Sequence, residues 1–292
     1  MEQTSAYLHE GALFHGHIPR VMGTRLDLVI PRSGPGPADP SGAPGGRTGE
    51  LGGKAGTPGD SLPALWDACC VELDSLSRML DRFRPDSEVS RVNAAGAGTP
   101  VPVSPALEAI LLACRDFHRR TDGLFDITRK DFSKVILEKK GFVTFASPGI
   151  TLDFGGIGKG WALAAIRRRL AAAGIGQAFV DFGGSSILAC GAHPYGTCWP
   201  VTVRDPGSGR PLHSFPLKDR ALSISGNQPG YTGHIVHPGT GQANRKRMLC
   251  AAVCTDPVDA EVLSTALMIA SPDQRERLQA AFPDAELTLY PL

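Results

Sequence analysis

A glycine-rich turn with a lysine, DFGGIGKG at residues 153–160, offers the first chemistry that the sequence suggests. An apolar run precedes it and a helical pattern follows, so a strand is predicted to enter the turn and a helix to leave it. Backbone N–H groups at a helix start bind phosphate, and the ammonium of Lys159 can neutralise it. The spacing fits neither the GxxxxGKS/T phosphate loop nor the GxGxxG fingerprint, which argues against a nicotinamide oxidoreductase. A plain strand-to-helix turn is the alternative.

A carboxylate and two hydroxyls come together on a predicted helix near the C-terminus. Glu261 and Thr265 are four residues apart and therefore share a helix face, with Ser264 beside them. Hard oxygen ligands of this kind suit Mg²⁺, which also takes water and phosphate oxygens. An ordinary solvated helix face is the alternative interpretation.

Two further groups are candidates for proton transfer or ligand binding. His234 follows a predicted strand and turn, and an imidazole can take the proton from an attacking hydroxyl. His237 stands three residues further on, but no helix and no third ligand supports a metal pair. Asp126 stands between apolar residues, where it either binds a ligand or caps the next turn.

The elements that must position these groups do not alternate regularly between strand and helix. Helices are predicted at 64–80, 105–119, 258–270 and 272–281, and another is predicted to follow the glycine turn and to end at about residue 173. Strands are predicted at 23–30, 150–154, 177–188 (broken at its two glycines), 199–204, 221–224, 249–255 and 286–289. This order favours an α+β architecture over a doubly wound sheet.

Composition limits the remaining possibilities. The 292 residues are enough for one domain over 1–292, and residues 31–63, rich in Gly and Pro, are predicted to be a flexible surface insert. The net charge of +1 gives no overall attraction to nucleic acid or to an anionic membrane. The N-terminus lacks a signal-peptide pattern and no membrane span is found, which predicts a cytoplasmic location without stable membrane insertion.

The seven cysteines are scattered, odd in number and without metal-site spacing. They are interpreted as reduced thiols that mostly fill the core. A vicinal redox pair at Cys69 and Cys70 is the less favoured alternative.

The motifs, taken together in chain order, resemble the FAD:protein FMN transferases, the ApbE family. The matching blocks are MGT at 22–24, FRPDSEVSRVN at 83–93, GLFDIT at 123–128, LDFGGIGKG at 152–160, GG at 183–184, VRDP at 203–206, SG at 225–226, HIVHPGTG at 234–241 and LSTA at 263–266. The resemblance implies an ApbE-like flavin transferase fold, with mixed or antiparallel sheets and packed helices. It also implies an enzyme that binds FAD and Mg²⁺, moves FMN to a Ser or Thr of a flavin-accepting protein and releases AMP.

The same resemblance implies roles for individual residues. Positions that match FAD-binding ones are Met22, Phe83, Leu124, Phe125, Asp126, Asp153, Lys159 and Ile235. Positions that match metal-binding ones are Gly156, through its carbonyl, and Glu261, Ser264 and Thr265. His234 is the candidate that activates the accepting hydroxyl, and Lys159 supplies a second positive charge to the phosphates.

Three positions depart from the usual pattern of the family. His237 and Glu261 each stand where the family has Asp, and Ala164 lies in a helix that usually carries Asp after the glycine turn. Two alternatives therefore stay open beside the transferase. One is an Mg²⁺-dependent FAD pyrophosphatase that gives free FMN and AMP, and the other is a non-catalytic FAD-binding protein.

Overall fold

A computed structural model of the chain describes residues 4–9, 12–31, 62–137, 140–227, 232–233 and 235–292. The strands, in chain order, are β1 Ser5–His9, β2 Leu13–Val21, β3 Thr24–Pro31, β4 Val101–Pro102, β5 Val135–Ile136, β6 Phe142–Phe145, β7 Ala178–Phe182, β8 Ser186–Cys190, β9 Trp199–Arg204, β10 Pro211–Leu217, β11 Arg220–Gly226, β12 Met248–Cys254 and β13 Glu286–Pro291. The helices are α1 Leu62–Leu80, α2 Glu88–Ala94, α3 Pro105–Arg120, α4 Gly158–Ala172, α5 Pro257–Leu267 and α6 Pro272–Ala281. The predicted insert at 31–63 lies almost entirely outside these described residues, and the candidate base His234 also lies outside them.

An antiparallel sheet of eight strands organises the described part of the chain. Its spatial order is β1-β2-β3-β7-β8-β11-β12-β13, and every neighbouring pair runs antiparallel. Strands and helices are grouped rather than alternating, which confirms the predicted α+β class.

The two faces of this sheet are covered differently. Helices α1, α4 and α5 pack against one face and against each other, and they enclose the main hydrophobic core. The β9–β10 hairpin covers part of the other face through a second cluster, in which the rings of Phe179 and Trp199 stack 5.2 Å apart. On β2, Phe14 and Ile18 point into the core while His15 and His17 are only half-buried on the outer face.

The strand predicted at 150–154 is wrong, although its alternating burial is real. Ile150, Leu152 and Phe154 are buried, yet the segment lies outside the sheets. The side chain of Asn93 supplies the hydrogen bonds of its central residue instead, because Oδ1 accepts from Leu152 N at 2.7 Å and Nδ2 donates to Leu152 O at 3.0 Å. A single side chain therefore satisfies backbone groups that a neighbouring strand would otherwise satisfy.

All seven cysteines are free thiols, and five of them are buried. Burial raises the pKa of Cys69 to about 11 and that of Cys70 to about 12, so both stay protonated near neutral pH. The interpretation of the cysteines as reduced thiols that mostly fill the core is confirmed, and the vicinal redox pair is not supported. Among the described residues, no helix is long and apolar enough to cross a bilayer.

Helices α4 and α5 are in close contact at Gly160. A Cβ atom there would lie 2.6 Å from the carbonyl oxygen of Pro257 and 2.9 Å from the Cβ of Glu261. Both distances are below normal contact, so the crossing requires glycine. It brings Lys159, the residue before this glycine, against Glu261.

Gly160→Ala should therefore lower the free energy of unfolding by about 1–3 kcal/mol, because the added methyl group forces the two helices apart. Urea denaturation followed by far-UV circular dichroism measures this change. Gly158→Ala is the matched control two residues earlier, since its Cβ would have no neighbour closer than 3.8 Å. Equal stability of the two variants would contradict the assigned crossing.

Candidate active site

A cleft of about 590 Å³ lies between the β2–β3 turn, the end of α1 and the glycine turn that precedes α4. Its charged lining residues are the cations Arg20, Arg78, Arg82, Arg84 and Lys159 and the carboxylates Asp74, Asp81 and Asp153. Positive charge is in excess on this wall, and a low-dielectric concave wall concentrates its field. The cleft therefore suits an anionic ligand, although the whole chain is nearly neutral.

The β2–β3 turn places Met22 on this cleft. The turn has two residues, Met22 and Gly23, whose φ angles are 47° and 83°. Positive φ at both positions matches the type I′ turn that a two-residue hairpin prefers, and it is unfavourable for methionine. The thioether sulfur would lie 3.8 Å from a Cβ at Gly158, so Met22 reaches the start of α4.

Phe83 stands at the rim of the cleft and is 79% exposed. The guanidinium of Arg82 lies 4.4 Å from its ring centroid, and its backbone N–H donates to Asp81 Oδ1 at 2.9 Å. Such exposure is unusual for a large apolar side chain beside a cavity, and a free aromatic face can stack on a planar ring.

The glycine turn is held by Asp153. Its Oδ1 accepts from Gly155 N at 3.0 Å, and its Oδ2 lies 3.4 Å from Arg82 Nε and 3.7 Å from Arg129 Nη1. The helix that follows starts at Gly158, and its N-cap residue Ile157 makes no side-chain capping bond. An uncapped helix N-terminus on a cationic cleft wall is well suited to phosphate.

Behind this wall lies the carboxylate of Glu261, which is only 3% exposed. Its Oε1 accepts a hydrogen bond from the ammonium of Lys159. Its Oε2 accepts from the hydroxyls of Ser186 at 2.7 Å and Ser223 at 3.0 Å. A buried carboxylate is tolerated only when it is paired and hydrogen-bonded, and both conditions are met here.

Thr265 and Gly156 are connected to the backbone of Glu261 by direct contacts. Thr265 is one turn after Glu261 on α5, and its hydroxyl donates to the Glu261 carbonyl at 3.1 Å. A Cβ at Gly156 would lie 3.3 Å from Thr265 Oγ1, so the glycine turn touches α5 at this point. Contacts thus link Gly156 to Thr265 and Thr265 to Glu261, and a carboxylate, a hydroxyl and a backbone carbonyl are the kind of hard-oxygen donors that Mg²⁺ prefers. The ammonium at Oε1 shows that this oxygen already faces a cation, so the residues fit a magnesium ion.

Ser264, predicted to bind metal, points away from Thr265. It is completely buried, and its Oγ lies 2.9 Å from the hydroxyls of both Ser223 and Ser225. The structure therefore places Ser264 in a row of hydroxyls behind the carboxylate.

The predicted stretch 124–126 lies beneath the cleft rather than on its wall. Leu124 and Phe125 are buried in the core, and Phe125 contacts Gly156 from below. The carboxylate of Asp126 is fully enclosed and accepts from Thr128 N at 2.7 Å and from Phe132 N at 2.9 Å. Of the two roles considered for Asp126, the structure shows the capping one.

The remaining predicted residues lie elsewhere. Ile235 packs with Met248 and Met268 in a small separate cluster. His237 lines a second cavity of about 680 Å³, and its buried Nδ1 has no hydrogen-bond partner among the described residues. Ala164 is buried in α4.

The structure thus brings Met22, Phe83, Asp153 and Lys159 to one cleft, with the oxygens of Glu261 and Thr265 behind it.

The sequence analysis does not identify Ser186 and Ser223, the two serines that hold Glu261. Ser186 begins the apolar strand β8, and Ser223 stands between apolar residues of β11. Hydroxyls in buried strands need partners, which is the signal that could have directed attention to them.

The ApbE family profile matches residues 22–136 and 129–288 of this chain. The FAD:protein FMN transferase of Treponema pallidum is 26% identical over 288 residues, covering 80% of this chain and 79% of that protein. That of Chlamydia trachomatis is 29% identical over 207 residues, covering 58% of this chain and 62% of that protein, which is less than two thirds of its length.

Two solved structures have the same fold. The flavin transferase ApbE from Vibrio cholerae superposes with a TM-score of 0.74 at 19% identity, covering 98% of this chain and 97% of its own. The ApbE protein from Thermotoga maritima gives 0.74 at 19% identity, covering 98% and 94%. The predicted ApbE-like fold is therefore confirmed.

Lys159→Met should destabilise the protein by about 3 kcal/mol, because it leaves the buried Glu261 carboxylate without its ammonium partner. Chemical denaturation measures the loss. Arg119→Met is the control, because Arg119 forms an exposed pair with Asp116 that is worth about 1 kcal/mol or less. A loss no larger than that of the control would show that the buried pair stabilises the fold no more than an exposed pair does.

Proposed function

The chain belongs to the ApbE family, and we propose that it transfers FMN from FAD to a Ser or Thr hydroxyl of a flavin-accepting protein and releases AMP with the aid of Mg²⁺. The proposal rests mainly on Lys159, because this residue lines the cationic cleft and also binds the buried carboxylate of Glu261. The relatives from Chlamydia trachomatis and Treponema pallidum are named FAD:protein FMN transferases, which supports the transfer of FMN to a protein.

The cleft supplies what transfer at a pyrophosphate requires. Attack on the FMN phosphorus concentrates negative charge on phosphate oxygens, so catalysis depends on positioning and on nearby cations. The uncapped start of α4 and the ammonium of Lys159 are the groups placed to receive the phosphates. Met22 and Phe83 flank them and would contact the flavin or adenine rings.

Glu261, Thr265 and the carbonyl of Gly156 would hold the magnesium ion. When bound, Mg²⁺ offsets charge on the pyrophosphate and on the departing AMP. Lys159 and the ion then compete for Glu261 Oε1. With a metal ion held there, the ammonium of Lys159 would leave the carboxylate and turn toward phosphates in the cleft that it lines.

Glutamate in place of the family's aspartate is accommodated by the serines behind it. Ser186 and Ser223 fix Oε2 in the core, which leaves Oε1 directed toward Lys159. Ser264 supports this arrangement by its hydrogen bond to Ser223. The longer side chain thus presents one oxygen toward the cleft.

A non-catalytic FAD-binding protein is the second candidate, because the ammonium of Lys159 pairs with the carboxylate of Glu261, the side chain that would hold the metal. FAD would then bind in the cleft and stay intact. An FAD pyrophosphatase would use the same groups with water as the nucleophile.

Product analysis separates these functions. The full chain is incubated with FAD, with and without Mg²⁺, together with a protein domain that carries a candidate Ser/Thr acceptor motif. We expect AMP only with Mg²⁺ and FMN attached to the acceptor. Free FMN with AMP and no adduct would indicate the pyrophosphatase, and intact FAD in every sample would indicate the binding protein.

Glu261→Gln keeps the size of the side chain and removes its charge, so it should slow the formation of AMP by at least about a hundredfold. Glu72→Gln is the control, because Glu72 pairs with Arg168 and Arg169 outside the cleft. AMP formation at the parent rate in Glu261→Gln would contradict the metal-binding role.

His234 is proposed as the base that takes the proton from the accepting hydroxyl. His234→Ala should slow transfer at saturating FAD by about a hundredfold or more while FAD affinity is unchanged. Single-turnover measurements of the FMN adduct test this. His213→Ala, at an exposed position on β10, is the control. An unchanged transfer rate in the His234 variant would exclude the role.

A further inference from the structure

Two histidines and an aspartate meet on the outer face of the sheet, opposite the helices. His15 and His17 alternate on β2 with Gly16, whose position against Trp66 of α1 marks the inner face. In the ladder His17 lies directly opposite Asp27 of β3. Because side chains two residues apart on a strand share a face, the pairing brings all three side chains together.

The three side chains converge on one carboxylate oxygen. His15 Nε2 lies 2.9 Å from Asp27 Oδ1, and His17 Nδ1 lies 2.8 Å from the same oxygen. All three atoms are within 4.8 Å of one another. The side chains are about a quarter exposed, at 30%, 32% and 21%, so the cluster can be reached from solvent.

We propose that His15, His17 and Asp27 bind a divalent transition-metal ion, with zinc as the leading candidate. Two imidazole nitrogens and one carboxylate oxygen form a donor set typical of zinc and its neighbours, and unlike the all-oxygen sets of magnesium. Bonds of about 2.0–2.2 Å would put tetrahedral ligands about 3.3 Å apart, so each imidazole nitrogen needs to move away from Asp27 Oδ1 by only a few tenths of an ångström.

Arg25 holds the carboxylate in a suitable orientation. Its guanidinium binds Asp27 Oδ2, which leaves Oδ1 directed at the imidazoles, and also donates to Asp181 at 2.9 Å. Outer hydrogen bonds of this kind orient metal-binding carboxylates. One arginine is shared by two carboxylates, so the cluster keeps a negative charge that a divalent cation would offset.

Asp27 is ionised near neutral pH, as a metal ligand must be. Burial acts to raise the pKa of Asp27, but hydrogen bonds from His15, His17 and Arg25 outweigh burial and lower it below its ordinary value.

This inference is independent of the proposed flavin chemistry. Glu261 lies on α5, where its carboxylate binds serines of β8 and β11, and it shares no ligand with the outer cluster. The outer cluster would clamp β2 to β3, the two strands whose connecting turn carries Met22 to the cleft.

The test uses the full chain without a histidine tag, stripped of metal by a chelator and titrated with Zn²⁺ alone. Calorimetry should detect one bound Zn²⁺ per chain. His15→Ala/His17→Ala should remove this binding, and His17→Ala alone should weaken it by at least about tenfold. Added Zn²⁺ should raise the Tm of the parent protein but not that of the double variant.

Two controls make the result specific. His193→Ala removes another half-buried histidine, which contacts Trp199, and should leave zinc affinity unchanged. Glu261→Gln should also keep it, even if it abolishes the formation of AMP. Co²⁺ in place of Zn²⁺ should give the visible absorption of a low-coordinate nitrogen and oxygen site, which disappears in the double variant. A parent chain that binds no Zn²⁺, or a folded double variant with parental affinity, would overturn the proposal.

Discussion

The close crossing of α4 and α5 at Gly160 is the constraint on which the candidate site depends. Without a side chain at this position, Lys159 reaches the carboxylate of Glu261, and the glycine turn before α4 touches Thr265. Any larger residue would separate the turn from α5 and with it the cationic cleft from the oxygen ligands. The cleft and the buried carboxylate are therefore one site because two helices pack at backbone distance.

The charge of Glu261 has to be balanced whether or not a metal ion is bound. One ammonium and two hydroxyls satisfy it in the structure described here, which makes the carboxylate stable in the core without a divalent cation. A magnesium ion bound there would displace the ammonium and release a positive charge into the cleft. The side chain of Lys159 would thereby couple the binding of the metal ion to the binding of phosphate.

The sequence predicted most helices and the α+β class, since apolar spacing reports directly which helix face is buried. It did not predict the extended segment at 150–154 correctly, because the partner that satisfies its backbone is the side chain of Asn93, 59 residues away in the chain. Residue identity and order were enough to associate Lys159 with Glu261 and Thr265 through a family resemblance. The serines behind Glu261 and the His15–His17–Asp27 cluster depend on strand register, which no local pattern specifies.

The binding of Mn²⁺, as a spectroscopic substitute for Mg²⁺, to the parent protein and to Lys159→Met tests the central claim most directly. Electron paramagnetic resonance of the free ion gives the affinity of each protein at equal concentration. If Lys159 and the metal ion compete for Glu261, the variant binds Mn²⁺ more tightly than the parent, since one like charge has been removed. Weaker or equal binding in a folded variant would mean that Lys159 organises the carboxylate or does not affect the ion, and would contradict the exchange of one cation for the other.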